Sequence, residues 1–117
     1  MKAVEVWRRA KESFYKAMES IIEKTQKVAE KTKESTAVVK CKLTVKRLEL
    51  KIAEKFAELG NKVYELHLKG EENPLQNDEV KVLLEEISNL DKELTQANTA
   101  LEDQIAKEKE AVEGSNT

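Results

Sequence analysis

A single proline, Pro74, most constrains what this chain can fold into. Proline locks its backbone and lacks an N–H, so a helix can start at it but not run through it. On its N-terminal side lies residues 37–68, where Val38, Cys41, Val45, Leu48, Ile52, Leu59 and Leu66 recur at three- and four-residue steps. On the other side lies 75–105, where Val80, Leu83, Ile87, Leu90, Leu94, Ala97 and Leu101 form a clean heptad. Apolar residues at that period make one stripe of a helix. Two striped helices joined by one turn predict an antiparallel helical hairpin.

The turn carries its own signals. Gly70 suits the residue just past a helix end, where the backbone turns left-handed. Asn73, Pro74 and Gln76 read as N-cap, first helical residue and the closing member of a capping box. Asn77 or Asp78 competes as the cap, and Asp78 and Glu79 put negative charge where a helix start favours it. Gly60 and Asn61 interrupt the earlier helix, but Val63 and Leu66 extend its stripe beyond them. The helix is therefore expected to continue, and Gly60 to mark a close approach by a neighbouring helix. Phe56 and Val63 lie on a drifting flank, while Leu84 and Ile105 sit beside the heptad.

Residues 2–34 predict a third helix. Val4, Trp7, Phe14, Met18, Ile21, Thr25 and Val28 form its stripe, and Glu12–Lys16 and Glu23–Lys27 are favourable pairs one turn apart. The stripe weakens over residues 32–36: the chain either bends there, with Ser35 or Thr36 capping a new helix, or runs straight through as one helix. Helices are thus expected at about 2–34, 36–69 and 74–111, in one domain spanning 1–112, with residues 113–117 as a disordered tail. The expected fold is all-α: a long hairpin plus an N-terminal amphipathic helix, as an elongated three-helix bundle or a coiled-coil oligomer.

Composition agrees. Glycine numbers three and proline one, and 38% of residues are charged, the balance of long helices. Aromatics make up only 4%, which suits a narrow seam rather than a broad core. The net charge of −2 conceals an asymmetry: residues 1–70 hold 17 Lys/Arg against 10 Glu, net +7, and residues 71–117 hold 4 Lys against 13 Asp/Glu, net −9. The two halves can pair with each other, and the basic half can also face an anionic partner.

Leu59-Gly60-Asn61-Lys62-Val63-Tyr64-Glu65-Leu66, the turn with Asn73-Pro74, and then Leu83-Leu84-Glu85-Glu86-Ile87 together carry a resemblance. This central third of the chain resembles a group of small bacterial coiled-coil proteins with a lysine-rich amphipathic first helix and a helical hairpin. Many members end in a zinc ribbon. This chain has no Cys-x-x-Cys pair, so the ribbon is missing. The resemblance implies a bacterial cytoplasmic helical protein and transfers no catalytic residue.

Chemistry is sparse. Cys41 is the one cysteine, so no disulfide forms within the chain and no oxidising compartment is required. His67 is the only histidine, whereas a metal site needs several ligands. A nucleophilic triad would need a pocket that a helical seam does not offer. The carboxylates of Glu85–Glu86 point apart on their helix, Glu71–Glu72 lie in the turn, and both pairs read as solvated. No catalytic residue, metal or cofactor is expected. No stretch approaches the roughly 20 apolar residues of a membrane span, and no secretion signal opens the chain. The expected setting is cytoplasmic, with attachment to the inner membrane surface as the alternative. Trp7, Phe14, Met18 and Ile21 are the candidate interface, flanked by Arg8, Arg9, Lys11 and Lys16. Such a face packs on the hairpin, meets another subunit, or lies on an anionic membrane. The leading expectation is a non-enzymatic structural protein that acts through helical surfaces, by self-association or with an unknown protein partner. Nucleic acid is disfavoured, because the Lys-rich stretch 40–55 lacks stacking aromatics and a recognition motif.

Overall fold

In the computed structural model, which describes residues 2–31 and 34–115, each apolar-striped segment is a long helix and no strand occurs among the described residues. Helix α1 spans Lys2–Lys31, α2 Thr36–Leu68 and α3 Asp78–Ser115. A single 3-10 turn, Pro74–Gln76, precedes α3. The expected break falls partly on residues 32 and 33, which lie outside the described residues. Its downstream edge is a true cap: the Ser35 hydroxyl accepts the Val38 N–H at 3.1 Å. Helix α2 then runs unbroken through Gly60.

Helix α2 ends as the glycine predicts. Gly70 has φ +83°, its N–H reaches the carbonyl of His67, and the Glu71 N–H reaches that of Leu66. This is a Schellman ending, which satisfies the last carbonyls. The start of α3 differs from expectation. Asn73 makes no side-chain cap bond, and Pro74 initiates only the short 3-10 turn. Asn77 caps instead: its Oδ1 accepts the N–H groups of Glu79 and Val80 at 2.9 and 3.2 Å. The chain needs one more turn to reverse direction, so the competing cap wins. At the far end α3 extends through Ser115, past the expected boundary at 111. Residues 113–115 of the expected disordered tail are therefore helical, and residues 116 and 117 lie outside the described residues.

Helix α3 runs antiparallel to α2. Lys62 pairs with Glu79 at 2.7 Å, and Lys55, two turns earlier, pairs with Glu86, two turns later, at 3.0 Å. Helix α1 runs antiparallel along the other side of α2, where Lys11 meets Glu58 and the Tyr15 hydroxyl donates to Glu54. Among the described residues, α1 packs on α2 but not on α3. The first turns of α1 merely share a shallow depression with Lys62, Glu79 and Leu83.

The molecule measures 69 × 27 × 11 Å. Its thin dimension is about one helix. A closed three-helix bundle would have two similar short axes, so this is a flat layer with α2 in the middle. Its core is correspondingly small. Val80 is fully buried, and Val4, Val38, Leu43, Val45, Leu66 and Leu90 are nearly so. The chain exposes 8537 Å². A compact monomer of this mass would expose about 6,400 Å².

Candidate interaction surface

Helix α2 is apolar on two sides, which is what a middle helix requires. Leu43 and Val45 are both buried, although two residues apart they point about 160° away from each other. Val45 belongs to the stripe of Val38, Ile52, Leu59 and Leu66, which faces α3. Leu43 shares its side with Glu54, three turns on, and Glu54 holds Tyr15 of α1. Leu50 and Ala57, at seven-residue steps from Leu43, continue this second stripe and are half-buried. The first stripe is the one expected of this helix from its sequence, and the second is not among the expected stripes. The seven-residue recurrence of Leu43, Leu50 and Ala57 was the available signal.

The predicted interface of α1 divides. Trp7, Phe14 and Met18 are half-buried, and the Trp7 and Phe14 rings meet edge-on at 5.6 Å between centroids. Ile21 is exposed, as are Val6 and Val28. Helix α1 thus turns one edge of its stripe to α2 and leaves the other edge open.

The two faces of the layer differ. On one, the α2–α3 seam is bridged by Lys55–Glu86 and Lys62–Glu79, and Lys55 also lies 3.5 Å from Glu58. The Lys55 ammonium is held protonated above its usual range by its hydrogen bond to Glu86, and Lys62 likewise by Glu79. On the other face, Phe56 is 56% exposed, and Gly60 and Tyr64 follow it at one-turn steps. Phe56 is one residue past Lys55, and Leu84 two residues before Glu86. The Lys55–Glu86 pair therefore sets Phe56 and Leu84 at one height across the seam, and Leu84 is 40% exposed. Gly60 is open: a Cβ built there would meet nothing within 4 Å. The expected close approach at Gly60 does not occur within the chain, because α1 and α3 flank α2 and neither crosses this face.

Cys41 is half-buried and borders a small gap with Thr44, Ala97 and Ala100 on the α2–α3 seam. His67 is exposed, its ring 6.4 Å from that of Tyr64. Among the described residues, no group of three or more His, Cys, Asp or Glu is placed to hold a metal ion. Nor is any described helix long and apolar enough to cross a membrane. Compared with family models, curated proteins and solved structures, the chain matches none.

Proposed function

We propose that this chain is a non-enzymatic structural protein that acts through its helical coiled-coil surfaces and associates with itself. The observation that carries this reading is the flat layer. Large apolar side chains lie exposed on it, Phe56 at 56% and Val28 at 61% among them. The surface exceeds that of a compact monomer by roughly 2,000 Å². Phe56 and Leu84, 56% and 40% exposed at one height on one face, are the neighbouring apolar side chains that support an interface there. A cytoplasmic setting belongs to the same proposal, since Cys41 needs no oxidising compartment.

Sedimentation equilibrium at micromolar concentration tests it. The expected mass is a multiple of the 13.3 kDa chain. A chain that stays at 13.3 kDa throughout would overturn the proposal. If that monomer also floated with anionic vesicles in low salt, the exposed edge of α1 would be a membrane surface instead.

A further inference from the structure

We infer that the face carrying Phe56, Gly60 and Leu84 is covered by a second copy of this chain, related by a two-fold axis along the helices, so that α2 lies parallel on its own counterpart. The inference rests on the self-association reading and names its surface and geometry.

The apolar residues select the face. Phe56, Tyr64 and Leu84 are exposed on the side away from the Lys55–Glu86 and Lys62–Glu79 pairs, against Val82 on the side of those pairs. Gly60 leaves an open notch between two aromatic rings. Two such ridges stacked in parallel bring notch to notch, which lets the backbones approach closely where no Cβ intervenes. The same face carries Lys42 and Lys46 further from the turn, so the contact is tightest near the hairpin end.

Charge selects the axis. Helix α1 holds 8 Lys/Arg against 5 Glu, net +3, and α3 holds 4 Lys against 11 Asp/Glu, net −7. A face-to-face dimer about an axis across the helices would stack α3 on the other copy's α3, placing −7 against −7. An axis along the helices exchanges the flanks and stacks each α1 on the other copy's α3. Like charges brought together disfavour the first arrangement, and opposite charges favour the second. The register set by Lys11–Glu58 and Lys55–Glu86 then brings Lys31 of one copy to the height of Asp103, beside Glu102, of the other. Area is sufficient: the excess exposure of roughly 2,000 Å² is above the about 800 Å² that each partner gives to a standard interface.

Cysteine cross-linking tests the geometry. In the full chain carrying Cys41→Ser, single cysteines are introduced as Ala53→Cys or Gly60→Cys, with Lys51→Cys on the opposite face as control. Circular dichroism verifies the fold of each. About a parallel two-fold axis every residue of the α2 ridge faces itself. Both Ala53→Cys and Gly60→Cys should then form disulfide dimers under mild oxidation, and Lys51→Cys should not. Residues seven apart are about 10.5 Å apart along a helix. About a crossing axis, at least one of the two would lie beyond the roughly 7 Å Cα separation a disulfide tolerates. Cross-linking of only one, of neither, or of Lys51→Cys equally well would overturn the inference. Sedimentation of the same unoxidised samples separates the failures. A monomer sinks the self-association reading as well, whereas an oligomer without the paired cross-links sinks this face alone.

Discussion

Asn77 and Asn73 pose the residue-scale question most sharply, since either could begin α3. The Asn77 side chain accepts two of the first free N–H groups of the helix, and Asn73 accepts none. Replacing a working asparagine cap with alanine costs about 0.5–2 kcal/mol. Asn77→Ala should therefore lower stability by roughly 1 kcal/mol in urea denaturation, and Asn73→Ala by well under half of that. The reverse order would move the cap back to Asn73. Gly70 is fixed for a different reason. At φ +83° a Cβ is strained whatever space surrounds it. Gly60, by contrast, is ordinary helix backbone, and only the surface around it gives it meaning.

At the scale of elements, α2 is tied to its neighbours by pairs that titrate in one direction. Lys55 and Lys62 are raised chiefly by hydrogen bonds to Glu86 and Glu79, and Tyr15 is raised chiefly by donating to Glu54. A group whose folded value is raised stabilises fully below its unfolded value and loses that contribution as pH climbs through the folded one. The unfolded values are about 10 for tyrosine and about 10.4 for lysine. Stability should therefore hold to about pH 10 and fall above it. Lys62→Met should remove part of that fall, at a cost near neutral pH of about 0.2–1 kcal/mol, the range of exposed pairs. Melting temperatures from pH 8 to 12 would measure both, and identical alkaline slopes in the two proteins would exclude the role of Lys62. Glu65 runs the other way. Its hydrogen bond to the Lys69 ammonium lowers it, so its contribution is present above the unfolded value and fades on acidification.

At the scale of the whole molecule, the three helices share no common core among the described residues. Val80, Leu90, Val38, Val45 and Leu66 belong to the α2–α3 seam, whereas Val4 is the one buried residue among the described side chains of α1. A helix held along one edge opens more easily than a seam held by five buried apolar residues. In hydrogen exchange on a dilute, dissociated sample, the amides of α1 should lose protection first and those around Val45 and Leu90 last. Raising the protein concentration should slow exchange in α1 if a second copy covers it. Uniform protection along all three helices would mean that the layer unfolds as one unit.

Helix class and most helix ends are local matters, and local chemistry announces them. The 3.6-residue stripes, the Ser35 cap and the Gly70 ending act within a few residues of themselves, so they are legible in the sequence as written. The choice between Asn73 and Asn77 is not, because it depends on where α3 must start in order to lie against α2. The place of each helix is less legible still. A stripe says that a side must be covered and is silent about what covers it. The half-buried Trp7, Phe14 and Met18 were readable as a face in want of a partner, but only packing shows that α2 takes one edge and leaves Ile21 and Val28 bare. The second stripe of α2, through Leu43, Leu50 and Ala57, was present in the sequence and marks a middle helix. That α1 and α3 then lie on opposite sides of α2, rather than closing into a bundle, follows from the roughly 160° between Leu43 and Val45. This angle keeps the flanking helices apart, and it is why Phe56, Gly60 and Leu84 are left facing outward.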